Sequence, residues 1–228
     1  MGDLVEFPSN GHTASGYLAV PGSGSGPGLI VIQEWWGLVP HITDVCDRFA
    51  GEGFVALAPD LFHGRTTTEP DEAGKLMMAL NLAEAGKDMA GAVAFLSGHD
   101  VVAGDGLGVT GFCMGGGLAL VLACQQPDAI AACVPWYGLV PWPDAQPDWA
   151  ALSAPVLMHV AGRDEYFTPD AARELEATLT GLGKDVELVL YEDADHAFFN
   201  DTRPDVHDPE ASADAWARTI DFLHRSLG

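Results

Sequence analysis

The sequence predicts an α/β fold, a mostly parallel central sheet flanked by helices, with an antiparallel hairpin at its N-terminal end. Three observations lead there: continuously apolar runs of strand length, helix-period segments between them, and one early segment that reads as two short strands around an Asn-Gly turn.

The early segment is VEFPSNGHTASGYLAVPGSG, with the turn signal at Asn10–Gly11 and an exposed glycine-serine connection at 22–26. The strand-like runs follow: LIVIQ at 29–33, FVALAP at 54–59, LGVTGF at 107–112, AACVPWY at 131–137, PVLMHVAG at 155–162 and VELVLY at 186–191. Their continuous apolar character suits strands buried on both faces, as in a parallel sheet under helices. Between them lie helical patterns at 41–53, 77–96, 115–125, 169–183 and 211–228. Strands alternating with helices point to parallel crossovers.

The 228 residues are expected to form one domain over 1–228, without internal repeats. A chain of this length buries roughly 70–75% of its unfolded surface in a single core. With 33 acidic against 10 basic residues the formal charge is −23. Such a field repels nucleic acid and anionic lipid over a screening length of about 8 Å, so neither is expected as a partner. No basic start with an apolar stretch, and no apolar run of spanning length, is present, so the cytoplasm is the expected location. The association state expected is a monomer or small homo-oligomer. Cysteines at 46, 113, 124 and 133 show no CxxC pairing, which favours reduced thiols over a disulfide or zinc framework. Histidines at 12, 41, 63, 99, 207 and 224 show no ligand spacing. No metal and no cofactor is therefore expected.

The chemistry gathers around GFCMGG at 111–116, where the strand LGVTGF runs into the apolar helix GGGLALVLA. A sharp strand-to-helix turn of this kind lifts one side chain above the sheet, and its glycines let strand and helix approach. On the hexapeptide alone, a buried structural thiol fits Cys113 as well as a nucleophile does. A nucleophilic thiol needs a base, because an unperturbed cysteine is only a few per cent thiolate at neutral pH. In α/β-hydrolases the chain order is nucleophile, acid, histidine, each on a loop after a strand. Asp164 follows the strand PVLMHV and His196 follows VELVLY, in that order. Glu165, Asp193 and Asp195 are rival acids, and the position after the strand favours Asp164. His159 lies within a strand and reads as a core histidine.

Separated motifs then carry a resemblance over residues 3–227: QEWWG at 33–37, APDLFHGR at 58–65, GFCMGGGLAL at 111–120, WYG at 136–138, AGRDEYF at 161–167 and EDADHAFFN at 192–200. Together they resemble the dienelactone hydrolase (carboxymethylenebutenolidase) family of the α/β-hydrolase superfamily. The resemblance implies a hydrolase of small lactones or esters with Cys113, Asp164 and His196 as a triad. It implies Glu34 as an activating carboxylate that pairs with the resting thiol and takes its proton when substrate binds. It also implies an oxyanion hole from the backbone N–H groups of Trp35 and Met114.

Family members that act on dienelactones hold the substrate carboxylate with two arginines. The corresponding positions here are Pro70 and Asn200, neither of which is charged. Arg65, Lys75 and Arg203 are the remaining candidate cations. Trp36, Tyr137 and Phe198, with Trp35, Trp136 and Phe199, are candidates for an aromatic pocket wall, and core packing is the competing reading for each. Three alternatives to a dienelactone-type hydrolase stay open: a general carboxylesterase or thioesterase of the same fold, a class I amidotransferase-like cysteine enzyme, and a noncatalytic binding relative.

Overall fold

The computed structural model describes residues 1–9, 11–138, 140, 142 and 145–228. Eight strands form one sheet: β1 (Asp3–Ser9), β2 (His12–Ala19), β3 (Gly26–Ile32), β4 (Val55–Pro59), β5 (Val102–Phe112), β6 (Ile130–Trp136), β7 (Val156–Ala161) and β8 (Val186–Tyr191), in the spatial order β1-β2-β4-β3-β5-β6-β7-β8. β1 pairs antiparallel with β2 and β2 with β4, and every other pairing is parallel. This is the α/β-hydrolase arrangement expected from the sequence. The hairpin turn expected at Asn10 falls outside the described residues. From β3 the chain passes to β4 on one side and later to β5 on the other, so the order reverses between β3 and β5. A crevice opens at the carboxyl ends of the strands at such a point.

Helices α1 (Pro40–Gly51) and α6 (Pro209–Leu227) cover one face, where Phe49, Phe54, Phe222 and Leu223 are packed with the outer side chains of β3 and β4. α2 (Pro70–Met78), α3 (Leu82–Ser97), α4 (Met114–Gln125) and α5 (Pro169–Gly181) cover the other, with Leu76, Met89, Leu118 and Leu179 in its core. β4 is buried along its whole length, which is why it reads as an unbroken apolar run. The α4 helix is buried almost all round, and its sequence is apolar all round for the same reason.

Two expectations are corrected. The helical pattern at 77–96 is not one helix: α2 ends at Met78, and α3 starts after Asn81, whose side chain accepts from the N–H groups of Ala83 and Glu84. An asparagine at this point satisfies two otherwise orphaned donors, so it starts a helix rather than continuing one. β5 begins at Val102, earlier than the apolar run at 107–112, because its first residues lie at the edge of the core and are partly exposed.

Asp88 on α3 ties the N-terminal hairpin down, accepting from Ser9 Oγ at 2.5 Å and facing His12 Nε2 at 2.8 Å. No helix among the described residues is long and apolar enough to cross a membrane.

Candidate active site

Five loops at the carboxyl end of the sheet bring the candidate residues together. The first leaves β3 through Gln33, Glu34, Trp35 and Trp36; the second is the turn from β5 into α4 at Cys113; the third follows β6 at Tyr137; the fourth and fifth follow β7 and β8. Glu34, Trp35, Cys113, Met114, Tyr137 and His196 line one cavity of about 520 Å³. This lies within the size range of small-molecule sites.

Cys113 is the residue before the first turn of α4, with φ 56° and ψ −119°. A non-glycine residue held there is strained by on the order of 1–3 kcal/mol. Its neighbours make the turn: a Cβ on Gly111 would overlap the carbonyl oxygen of Gly115, and a Cβ on Gly138 would lie 2.5 Å from the carbonyl oxygen of Cys113. Only glycine lets strand, helix and the loop after β6 approach this closely. The strained turn holds the thiol at the cavity and opens α4 with Met114, whose N–H has no acceptor inside the helix.

His196 Nδ1 lies 2.6 Å from Asp164 Oδ2. The other oxygen of Asp164 accepts from the N–H groups of Tyr166 at 2.8 Å and Phe167 at 2.9 Å. The carboxylate is thus fixed on both sides while 4% exposed. The rival acids Glu165, Asp193 and Asp195 are exposed and leave Asp164 as the carboxylate that orients this imidazole. Burial works against a charged His196, but hydrogen bonds to Asp164 and Cys113, together with their negative charge, outweigh it and push its pKa up to about 10.

Glu34 is 1% exposed. Its Oε2 accepts from Asn200 Nδ2 at 2.9 Å, whereas Oε1 is buried with no hydrogen-bond partner among the described residues. Burial raises its pKa above the ordinary carboxylate value, against the opposing influence of His196, the Asn200 amide and Arg203. A Cys113–Glu34 resting hydrogen bond, implied by the family resemblance, is not formed: Oε2 is turned to Asn200, and Oε1 has no partner among the described residues. Asn200 is itself held by Thr202, whose N–H and hydroxyl donate to its Oδ1 at 3.1 and 2.6 Å.

The expected substrate contacts divide. Trp36, Tyr137 and Arg203 line the cavity, as do Trp35 and Pro70. Arg203 is paired with Asp205 at 3.1 Å, and its guanidinium carbon lies 6.0 Å from the centre of the Trp36 ring. Arg65 and Lys75 do not line the cavity; both are exposed, Arg65 on the loop before α2 and Lys75 on α2 itself. Phe198 is also corrected: it is fully buried beneath the site, against Trp136 and Tyr191, and so packs the core. Trp136 and Phe199 belong to that same core. Cavity residues not foreseen from the sequence are Met77, Arg163, Tyr166 and Val206. Arg163 directly precedes Asp164, which was the one signal for it; its guanidinium pairs with Asp193 at 2.7 Å.

His159 is the expected core histidine. It is fully buried, with Nε2 at 2.8 Å from the Thr219 hydroxyl, and burial lowers its pKa to about 3. Among the described residues no group of three or more histidine, cysteine or acidic side chains is arranged to hold a metal ion.

Comparison with known proteins agrees with the architecture. The profile of the Dienelactone hydrolase family matches residues 14–227. Protein usf of Aquifex pyrophilus is 40% identical over the full length of both chains. A protein of Aquifex aeolicus named "Putative carboxymethylenebutenolidase" is 35% identical, again over the full length of both. Among solved structures, a dienelactone hydrolase-like promiscuous phosphotriesterase from metagenomic libraries superimposes with a TM-score of 0.88 at 20% identity, covering 100% of this chain and 99% of that one.

Proposed function

The chain belongs to the dienelactone hydrolase family and is a hydrolase of ester or lactone bonds, and from that premise we propose that it uses Cys113 as nucleophile on small uncharged esters or lactones. The observation that carries this reading is the convergence of Cys113 on a strained turn, His196 hydrogen-bonded to Asp164 at 2.6 Å, and a buried Glu34 in one cavity.

In the proposed course Glu34, made more basic by burial, takes the thiol proton. The thiolate attacks the carbonyl carbon, and the N–H groups of Trp35 and Met114 stabilise the oxyanion. Such donors contribute about 2.7–4 kcal/mol each to transition-state stabilisation. Collapse breaks the bond to the alcohol oxygen, which departs with the proton held by Glu34 and leaves a thioester on Cys113. Water activated by His196 then cleaves the thioester, while Asp164 holds the imidazole in place and stabilises its charged form.

Preference for an uncharged substrate is supported by the neutral Pro70 and Asn200 and by the pairing of Arg163 and Arg203 with acidic neighbours. The walls are Trp35, Trp36, Met77 and Tyr166, which suit an aryl or short alkyl ester. A hydrolysis panel of neutral aryl esters, neutral lactones and a dienelactone carboxylate, run with wild type and Cys113→Ala, tests both parts. Neutral substrates are expected to lead, and Cys113→Ala to lose on the order of 10³-fold or more in kcat. Full activity in Cys113→Ala would remove the nucleophile assignment; equal turnover of the dienelactone would overturn the preference for uncharged substrates.

A further inference from the structure

Tyr137 combines features that packing alone does not explain. It is 1% exposed and has φ 35°, in the left-handed region that bulky residues avoid. Its hydroxyl is buried with no hydrogen-bond partner among the described residues. Phenylalanine would supply the same ring without leaving a donor unsatisfied, so the hydroxyl is destabilising unless it has a use. The residue lines the same cavity as Cys113 and Glu34, and its ring meets that of His196 edge-on at 5.3 Å between centroids.

Glu34 Oε1 is the complementary orphan. It is a buried acceptor without a donor among the described residues, while Oε2 is occupied by Asn200. A donor lacking an acceptor and an acceptor lacking a donor, in one cavity beside His196, specify a ligand that does both: an O–H group. Burial, then the negative charge of Glu34 and Cys113, hold the Tyr137 pKa well above its ordinary value, so the phenol stays a donor across the neutral range.

We propose that Tyr137 and Glu34 hold the water that hydrolyses the acyl-enzyme, Tyr137 donating to its oxygen and Glu34 accepting one of its protons. The inference rests on the reading of Cys113 as nucleophile. Acylation removes the negative charge of Cys113, one of the influences that hold the His196 pKa up, and the second proton of the water passes to the neutral imidazole as the oxygen attacks the thioester carbon. The carbon–sulfur bond breaks with its electron pair on Cys113 Sγ, and the sulfur recovers the proton from His196. The carboxylic acid is released, and the thiol is restored. Water takes no part in forming the thioester, so Tyr137 acts in the second half-reaction only.

The test is a rapid-quench single turnover of 4-nitrophenyl butyrate by the full-length wild type and Tyr137→Phe. Intact mass spectrometry follows the acyl adduct, and thermal melts monitor the fold. Adduct formation is expected to stay within about twofold of wild type, while its decay slows by about tenfold. The melting midpoint should be unchanged or higher, because an unsatisfied buried hydroxyl is removed; a merely structural role would lower it. Decay at the wild-type rate, or formation and decay slowed together, would overturn the inference. No adduct on Cys113 in wild type during turnover would instead overturn the nucleophile reading, and this inference with it.

Discussion

Asn200 donates its side-chain amide to Glu34 Oε2 across 2.9 Å, joining residues 166 positions apart in the sequence. The contact bridges the loops after β3 and β8 and gives a fully buried carboxylate a neutral partner rather than a cation.

Replacing that partner should change the pH response of turnover. Asn200 is one of the groups holding the Glu34 pKa down against burial, so Asn200→Leu raises it further. If activity requires the carboxylate, it is lost as pH falls through the folded pKa, and the acid limb of kcat/KM moves to higher pH in the variant. At neutral pH, kcat/KM should fall on the order of tenfold, the scale of one hydrogen bond to a charged group. An acid limb that stays at the wild-type position would remove Glu34 from the mechanism.

Glu34→Gln should separate stability from activity. The folded state raises this pKa above its ordinary 4.5, so the folded chain binds the proton more tightly than the unfolded one. That contribution to stability is complete below pH 4.5 and is lost as pH rises through the folded value. At neutral pH Glu34 therefore opposes folding, and Gln should raise the melting midpoint, on the order of the 2–4 °C that about 1 kcal/mol produces in a chain of this length. Esterase rates in the same preparation should drop; a midpoint below wild type would contradict the account.

His196 gives the opposite dependence. Its folded pKa of about 10 lies above the ordinary 6.5, so the stabilisation is complete below 6.5 and is progressively lost as pH rises through about 10. Urea midpoints measured from pH 6 to 10.5 should decline for wild type, and less steeply for His196→Asn. Parallel profiles for the two proteins would show that the imidazole is not the group responsible.

Asn81→Ala should cost about 1 kcal/mol by removing the cap of α3, lowering the melting midpoint by about 2–4 °C. The capped N–H groups belong to Ala83 and Glu84, neither of which lines the cavity. Ester hydrolysis at 25 °C should be unchanged. A loss of activity without a loss of stability would assign Asn81 a different task.

The middle of the sheet was legible because β3, β4, β6 and β7 are buried on both faces, which leaves apolar runs that no surface element would keep, whereas β8 is only half-buried and was marked by its β-branched and apolar residues. The break before α3 was not, since Leu80 and Leu82 continue the apolar period through Asn81 and conceal a cap that only the backbone reveals. Cys113, Asp164 and His196 could be singled out because each lies on the loop that follows a strand, and a strand end has a known place in this fold. The cavity walls had no such anchor: Arg65 and Arg203 read alike in sequence, and whether a cation reaches the cavity depends on how its loop folds back. Phe198 and Tyr137 differ in the same way. Both are aromatic residues on loops that follow strands, yet one packs beneath the site and the other opens onto it. Backbone conformation made that choice, and composition carries no trace of it.

The order of the strands also sets when the site comes into existence. Glu34, Cys113, Asp164 and His196 follow β3, β5, β7 and β8, which become neighbours only through successive parallel crossovers. Contacts this distant along the chain form late in folding, after local helices have appeared. On dilution from denaturant, helical circular dichroism therefore returns first, and esterase activity marks the moment the last crossover closes.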